Sequence, residues 1–301
     1  SGPMDRLAYD TAHAALGNEP DLTVIEVSLG GLMLVCSKGS LTVAITDGDF
    51  VVEHSGQKTS SWTILTLRQG EKLAIRAGKA GSWAYLAFAG ALTTDDWLGS
   101  QATHSTSGFG GGAVQAGRSL VISDTNLRDD RLGDIAKPEF IPSGPIRVVI
   151  GPQDQHFTSQ AIEHFTSATF SVTDAYDRMG MRLSGPALEL DGALSIPSEP
   201  IVRGSVQVSG DGVPTILLAD HQTTGGYPKI ATVISCDTDS LTHLRAGQIM
   251  RFVSITVQQS IDEVRNFAIR RKQYLEEVSI ARGSLEQRLM RENLIHGFIE
   301  G

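Results

Sequence analysis

The chain has 301 residues, a formal net charge of −9 and 41% hydrophobic residues, which is typical of a globular protein with a sizeable core. The negative charge argues against a nucleic-acid partner and against binding to an anionic membrane surface. The sequence contains no apolar run long enough to span a bilayer and no signal-peptide pattern at its start. The length favours two domains or one large β domain.

The first third of the chain predicts one helix followed by short strands. Asp5 can cap a helix over residues 5–16, which is rich in alanine, and Gly17 can end it in the left-handed conformation. Glycine-containing turns such as "KGS" and "DGD" separate the segments that follow, and this regular spacing favours a barrel or sandwich over a parallel α/β sheet. The predicted strands are 22–29, 32–37, 41–46, 64–67, 73–77 and 83–89.

The middle of the chain predicts a loop and then a domain boundary. Residues 94–117 are rich in Ser, Thr and Gly, and 124–144 are polar and marked by prolines. We therefore predict an N-terminal β subdomain over 1–140, a C-terminal barrel-like subdomain over 141–258 and a helical tail over 259–301. Predicted elements after the boundary are strands at 146–150, 169–173, 181–183, 202–208, 215–219, 229–235 and 250–256, and a short helix at 158–165.

The predicted tail begins with a capping box, in which Ser260 is the N-cap and Glu263 the third helical residue. A second box, Ser284 with Gln287, predicts a last short helix. Cys36 and Cys236 both lie in apolar contexts, which favours buried thiols in a reducing cytoplasm over a disulfide.

Several motifs that would define other classes of site fail on context. The stretch "GFGGGA" at 108–113 lacks the preceding strand and following helix of a dinucleotide-binding loop, so we interpret it as a flexible turn. The eight histidines are scattered without metal-ligand spacing, and no Gly-x-Ser-x-Gly elbow occurs. The sequence therefore predicts neither a metal site nor a serine hydrolase.

Polar side chains and glycines are concentrated between two predicted strands, in "ADHQTTGGYPKIA" at 219–231. Asp220 can accept a proton or orient a neighbour, and Lys229 can stabilise an anionic substrate or a developing oxyanion. The residues between them offer donors, acceptors and backbone freedom for a small polar substrate. The candidate substrate-binding residues here are Gln222, Thr223, Thr224, Gly225, Gly226 and Tyr227. A tight turn at the mouth of a barrel is the simpler alternative.

A second candidate segment is "DAYDRMGMRLSG" at 174–185. Asp177 and Arg178 are adjacent on an extended segment, so their side chains point in opposite directions. One of them can enter a cleft while the other anchors it; the candidate roles are catalytic for Asp177 and substrate-binding for Arg178. A surface turn with a salt bridge is the alternative.

These segments, with "GPMDRLA", "VVIGPQDQHF" and "RGSVQV", resemble the allophanate hydrolase subunit 2 family, which includes the C component of bacterial ATP-dependent 5-oxoprolinase. The same unit is similar to the carboxyltransferase-type domain of urea carboxylase. The match runs from Gly2 to about Phe252, and "QTTGGYPKIA" together with "DRMG" is highly specific. Two positions depart from the family pattern: His221 stands where Arg is frequent, and Pro200 where Gly is common after Ser-Glu.

The resemblance implies an all-β fold of two barrel-like halves with cyclophilin-like topology. It implies a cytoplasmic protein that acts with a subunit 1-like companion, and in some systems with a third subunit. The implied reaction opens the lactam of 5-oxoproline to glutamate at the expense of ATP, which is bound by or together with the companion. A lactam is a poor electrophile, and its activation places negative charge on oxygen, for which Lys229 would supply the positive charge. Asp177 or Asp220 would orient or deprotonate the ring amide.

Two alternatives from other functional classes stay open. The chain could be the carboxyltransferase-type domain of a biotin-dependent urea or amide carboxylase, with biotin on a separate carrier because the sequence lacks an "AMKM"-type lysine motif. It could also be a non-catalytic regulatory module, as for relatives that regulate a sporulation kinase, since a fold and its pocket can persist after the chemistry is lost.

Overall fold

A computed structural model describes residues 2–192 and 195–283, together with Gln287, Leu289 and Met290. The protein is mainly β, with 34% strand and 19% helix, so the predicted fold class with its N-terminal and C-terminal helices is confirmed. Two compact units interleave along the chain. Among the described residues, the sheet unit comprises Leu7–Thr93, Gly117–Pro138 and those from Lys272 onward, and the barrel unit comprises those up to Arg6, Thr94–Ala116 and Glu139–Arg271.

The described part of the sheet unit contains one complete helix, the last turns of the helix that ends at Ser279, and short antiparallel strands. A five-stranded sheet has the order β1-β8-β3-β6-β11, a four-stranded sheet the order β2-β7-β4-β5, and β9 pairs with β10. The elements are α1 (Arg6–Leu16), β1 (Ile25–Ser28), β2 (Leu32–Val35), β3 (Ser40–Thr46), β4 (Val51–His54), β5 (Gln57–Ser60), β6 (Thr63–Arg68), β7 (Lys72–Arg76), β8 (Trp83–Phe88), β9 (Ala91–Thr93), β10 (Val121–Ser123) and β11 (Gly133–Asp134).

The core of the sheet unit lies between its two larger sheets. Strand alternation directs Val43, Ile45 and Leu86 of the five-stranded sheet toward Val52 and Ile75 of the four-stranded sheet, and all five side chains are buried. Removing one such side chain from water contributes about 1.5–3 kcal/mol. The other face of the five-stranded sheet packs against the apolar face of α1.

Helix α1 ends as its sequence predicts. Gly17 has φ +66°, and a Cβ there would lie 2.7 Å from the Arg131 guanidinium. Arg131 donates hydrogen bonds to the carbonyls of Ala15, at 3.2 Å, and Ser279, at 2.8 Å. A cation at the negative end of a helix is favourable, so this buried arginine stabilises the C-termini of two helices.

The barrel unit contains a closed seven-stranded barrel of order β12-β19-β16-β17-β14-β13-β20. Strand β12 runs parallel to β20 and antiparallel to β19, and every other neighbouring pair in the barrel is antiparallel. The elements are β12 (Ile146–Ile150), a 3-10 turn (Asp154–His156), α2 (Ser159–Ser167), β13 (Thr169–Tyr176), β14 (Gly180–Ser184), β15 (Glu199–Pro200), β16 (Ser205–Val208), β17 (Pro214–Leu217), β18 (Thr224–Gly225), β19 (Lys229–Val233), α3 (Thr238–Leu241), β20 (Ile249–Ser254) and α4 (Val257–Ser279).

Helix α2 packs against β20 through aromatic rings. The Thr158 hydroxyl caps the helix by accepting a hydrogen bond from the amide of Ala161 at 3.1 Å. Phe165 of α2 stacks on Phe252 of β20 with ring centroids 4.3 Å apart, and Phe170 meets Phe252 edge-on at 5.7 Å. All three rings are buried, so the aromatic cluster joins the helix to the barrel wall.

Several short elements were not predicted, namely β4, β5, β9, β10, β11, β15, β18 and α3. The hairpin β4–β5 was missed because its strands are short and β5 is exposed and polar. One predicted boundary is corrected. Helix α4 begins one turn earlier than the Ser260 box, since Thr256 and Gln259 form the capping box: the Thr256 hydroxyl accepts from Gln259 N–H at 3.1 Å, and the Gln259 side chain accepts from Thr256 N–H at 2.9 Å. The second predicted box includes Ser284, which lies outside the described residues.

The loop over 94–116 is irregular, as predicted, and belongs to the barrel unit. The predicted division at 140 and 258 stays a prediction.

Both cysteines are thiols; Cys236 is buried as predicted, whereas Cys36 is half-buried. None of the helices in the described part of the chain combines the length and the apolar content needed to cross a membrane.

Candidate functional site

Lys229 is the first residue of β19, and its side chain is only 4% exposed. Its Nζ lies 3.3 Å from the carbonyl oxygen of Pro200 and 3.7 Å from a carboxylate oxygen of Glu199. Its backbone N–H donates to the side-chain oxygen of Gln153 at 2.9 Å. A buried ammonium requires such partners, because transfer of an isolated charge out of water is very unfavourable. The structure therefore places a fixed positive charge at the start of a barrel strand.

The paired-threonine, paired-glycine bend forms a short ribbon beside this lysine. Strand β18 pairs antiparallel with β15, with Glu199 opposite Gly225 and Pro200 opposite Thr224. The carbonyl of Gly226 accepts a hydrogen bond from the N–H of Ile196 at 2.8 Å. The ribbon brings both Lys229 partners, the Glu199 carboxylate and the Pro200 carbonyl, to the ammonium.

Gly225 is required by close packing and not by a positive φ. A Cβ at this position would lie 2.5 Å from the side-chain nitrogen of Gln207. Gln207 is buried and donates to the carbonyl of Tyr227 at 3.2 Å, so its amide cannot withdraw without losing that bond. Glycine therefore allows the ribbon to pack closely against the barrel wall beside Lys229, at the start of β19.

The side chains of the bend face solvent. Gln222, Thr223 and Thr224 are exposed, and Tyr227 is 47% exposed. The bend thus offers hydroxyl and amide groups at the surface, while the ammonium of Lys229 lies beneath the ribbon. Roles in substrate binding for these residues stay predictions.

Asp220 and Arg178 form a buried ion pair. Asp220 is 1% exposed and receives two hydrogen bonds from the Arg178 guanidinium, at 3.0 and 3.1 Å, and two from the backbone N–H and hydroxyl of Ser105, at 3.1 and 2.9 Å. Burial acts to raise the pKa of Asp220, but the bonds and charge of Arg178, with Ser105, outweigh it and hold the pKa below its usual value. Asp220 is therefore a carboxylate whose two oxygens are both engaged, which suits an anchor better than a general base.

Asp177 closes the turn between β13 and β14. Its carboxylate accepts hydrogen bonds from the amides of Met179, at 2.8 Å, and Gly180, at 3.2 Å, and the residue is exposed. Asp177 and Arg178 therefore have different surroundings, since only Arg178 contacts Asp220. The contacts of Asp177 are those of an Asx turn, the surface-turn alternative, and its catalytic role stays a prediction.

Sequence reasoning missed three residues that contact the candidate site. Gln153 and Gln207 are both 4% exposed, and Glu199 faces the ammonium of Lys229. The signal for Gln153 was its place in "VVIGPQDQHF", a segment that carries the family resemblance, shortly after the predicted strand 146–150. Burial of an uncharged polar side chain has no signature in a single sequence, which explains why both glutamines were overlooked.

A cavity of about 460 Å³ occurs elsewhere, in the sheet unit. Arg131, Ile135, Tyr274 and Val278 are among the residues that line it, and none of the ten predicted site residues does. The Tyr274 hydroxyl donates to the carbonyl of Ala136 at 2.7 Å. This cavity gives no support to the chemistry predicted for the barrel unit.

The fold and these contacts define an all-β protein with a buried lysine at one corner of a closed barrel. The model of the family described as carboxyltransferase domain, subdomain A and B, matches residues 1–254. The chain belongs to this family, and the resemblance seen in its sequence is confirmed.

Individual relatives share most of the chain. It is 30% identical over 262 residues to the C component of 5-oxoprolinase from Haemophilus influenzae, covering 86% of this chain and 84% of the relative. The solved structure of TTHA0988 is 32% identical with a TM-score of 0.74, covering 84% of this chain, which spans half the length of that protein. The Kluyveromyces lactis urea amidolyase structure matches at 22% identity with a TM-score of 0.80, covering 92% of this chain and 18% of that chain, which supports the fold alone.

Proposed function

We propose that this protein is a subunit of an ATP-dependent 5-oxoprolinase that acts in the cytoplasm with a subunit 1-like companion, and that Lys229 is its central catalytic residue. The observation that carries the proposal is the 4% exposed ammonium held beneath the β15–β18 ribbon. The Haemophilus influenzae relative, named as a component of 5-oxoprolinase, supports the choice of substrate. ATP is held by or together with the companion.

The proposed chemistry follows from the charge that the lactam acquires. Transfer of the γ-phosphoryl group of ATP to the lactam oxygen releases ADP and the ring N–H proton and makes the ring carbon electrophilic. One water adds to that carbon, and the ring C–N bond breaks as the nitrogen takes up protons, which leaves an acyl phosphate. A second water hydrolyses the acyl phosphate to glutamate and phosphate. Negative charge develops on the acyl oxygen as the second water adds to the acyl phosphate, and a preorganised cation in a partly dehydrated site stabilises it. Lys229 supplies that cation, and the exposed Thr223 and Thr224 hydroxyls supply donors at the substrate's edge.

The remaining predicted residues act around this centre. Arg178 and Asp220 hold the loop over 94–116 through Ser105, so they are positioning residues for the site. Tyr227 forms a wall beside the bend, and Gln222 contributes amide contacts. In the proposal, Asp177 orients the ring amide from its exposed turn.

The test is turnover by the reconstituted complex of this chain with its companion. Lys229→Ala should reduce ATP- and 5-oxoproline-dependent release of glutamate and phosphate by at least about tenfold while the complex still assembles. Lys58→Ala is the matched control, because Lys58 is an exposed lysine of the sheet unit and its loss should leave turnover unchanged. Equal turnover of wild type and Lys229→Ala in an assembled complex would remove the catalytic role and favour a regulatory binding module.

The second candidate is a carboxyltransferase that accepts a carboxyl group from biotin on a separate carrier. The description of the matching family favours it. Its reaction also places negative charge on oxygen, so it uses the same ammonium. Incubation of the complex with a carboxylated biotin carrier and urea or 5-oxoproline distinguishes the two: transfer of labelled carboxyl without ATP supports the carboxyltransferase, and glutamate formation only with ATP supports the oxoprolinase.

A further inference from the structure

Gln153 connects the two charged groups at the start of β19. Its side-chain oxygen accepts the N–H of Lys229 at 2.9 Å, and its side-chain nitrogen donates to Glu199. The same Glu199 oxygen lies 3.7 Å from Lys229 Nζ. Because an N–H must meet the amide oxygen and a carboxylate must meet the amide nitrogen, one orientation of Gln153 satisfies both bonds. A single buried amide therefore fixes the lysine backbone and the carboxylate that faces its ammonium.

The two charged partners differ in their freedom to move. The Lys229 side chain is 4% exposed, whereas that of Glu199 is 53% exposed. Glu199 can turn into water at low cost, since an exposed carboxylate is well solvated. The ammonium cannot, so it requires a negative or carbonyl partner at all times. The Pro200 carbonyl, at 3.3 Å, is a fixed partner because it belongs to the β15 backbone.

We propose that Glu199 is a displaceable counter-ion of Lys229, and that Gln153 is the positioning residue that holds it there. A small carboxylate such as 5-oxoproline, or the oxyanion formed from it, takes the place of Glu199 on the ammonium. Gln153 sets how strongly Glu199 competes with the incoming anion. The substrate named here rests on the proposed function, whereas the displacement itself requires only an anion.

Bromide, a simple anion that takes part in no reaction of the protein, tests whether an anion can replace Glu199 beside the Lys229 ammonium. Crystals of Glu199→Ala soaked in bromide should show anomalous density within about 4 Å of Lys229 Nζ, the range of an ion pair. Wild-type crystals in the same soak should show none there. Asp211→Ala is the matched control, because Asp211 pairs with Arg182 on the same barrel at 2.7 Å and its loss should leave the Lys229 site without bromide.

Affinity for 5-oxoproline tests the positioning role of Gln153. In the assembled complex, calorimetric titration should show that Glu199→Ala and Gln153→Leu each tighten binding, by about threefold or more, because a competing like charge is removed or released. KM should fall in both variants. The double variant should bind as tightly as Glu199→Ala alone, since Gln153 acts through Glu199.

The outcomes separate this inference from the proposed function. Bromide missing from the Lys229 site of Glu199→Ala, or weaker 5-oxoproline binding by Gln153→Leu in both backgrounds, would overturn the inference. If bromide occupies the site as expected but the wild-type complex does not turn over 5-oxoproline, the proposed function fails and the counter-ion role stands. Glu199→Ala carries the test if Gln153→Leu does not fold, because Glu199 is an exposed side chain.

Discussion

Asp220 joins chain segments that are far apart in sequence. Through Arg178 it reaches the carbonyl of Gly2, to which Arg178 donates at 2.6 Å, and through Ser105 it reaches the loop over 94–116. Each oxygen of the carboxylate accepts at least one charge-assisted hydrogen bond, which is the strongest kind that side chains make. Its place in the sequence beside the candidate bend suggested catalysis, whereas its contacts indicate an anchor for the architecture of the site.

Replacing Asp220 with Asn should lower the free energy of unfolding by about 3 kcal/mol at neutral pH, because the Arg178 guanidinium loses its buried counter-charge. The pKa of Asp220 lies below 3.8 in the folded protein, so the native state binds fewer protons at this group than the unfolded state does. The contribution of Asp220 to the free energy of unfolding is therefore fully present well above pH 3.8, where both states are ionised, and it is lost as the pH falls from there through the lower pKa of the folded state.

Urea denaturation at neutral pH and at acid pH measures this difference. The difference in the free energy of unfolding between wild type and Asp220→Asn should disappear at acid pH. Asp177→Asn is the matched control, because an exposed asparagine still accepts the turn hydrogen bonds with its amide oxygen. A gap that stays constant over the whole pH range would contradict the account of Asp220.

Gly225 gives a second prediction at this scale. A Cβ would meet Gln207 at 2.5 Å, so Gly225→Ala must displace the ribbon or the buried amide, at a cost of about 1–3 kcal/mol in the free energy of unfolding. Gly30→Ala serves as the control, since a Cβ there meets nothing closer than 3.8 Å. Urea denaturation of both variants checks the prediction, and equal stability would show that the ribbon has more room than the structure gives it.

At the scale of single residues, the sequence predicts which residue types can take part in chemistry, but it does not predict which other residues they contact. Lys229 stands out because a charged residue opens an otherwise apolar run, and the structure buries it. Whether Asp220 is a base or an anchor depends on Ser105, which is 115 residues away in the chain. Contacts at that separation are set by the fold and have no local signature.

At the scale of elements, hydrophobic alternation and turn chemistry predicted most of the strands. Strand β12 has the bounds expected for it, and α2 differs from the predicted helix by only one or two residues at each end. The two-residue strands β15 and β18 were not predicted, because their pairing depends on a ribbon that closes over the barrel and not on their own sequence. The sequence therefore predicts β19, which carries Lys229, but not the ribbon beside it.

The start of α4 gives a prediction for this scale. Thr256→Ala should destabilise the first turn of the helix by about 1 kcal/mol, because it removes the side chain that accepts the Gln259 N–H. Ser260→Ala should have little effect, since Ser260 lies inside the helix. Hydrogen exchange of the first-turn amides measures both effects. Faster exchange in Ser260→Ala than in Thr256→Ala would show that the helix begins at the Ser260 capping box, as the sequence predicted.

At the scale of the whole molecule, composition and strand spacing were sufficient for the fold class but not for the topology. The barrel closes through a parallel pair, β12 with β20, whose strands lie about a hundred residues apart. The loop over 94–116 belongs to the barrel unit although it lies between strands of the sheet unit. Such pairings between distant strands form because they bury whole faces of the sheets. The hydrophobic pattern of one short segment does not show which distant strand it will pair with.

The central claim is that the buried ammonium of Lys229 is the charge that meets the substrate. The most direct measurement is a crystal structure of the complex with its companion and bound 5-oxoproline. The account predicts an oxygen of 5-oxoproline within hydrogen-bonding distance of Lys229 Nζ, with Glu199 turned away into solvent. The contrary result is 5-oxoproline bound elsewhere, with Lys229 still in contact with Glu199 and the Pro200 carbonyl.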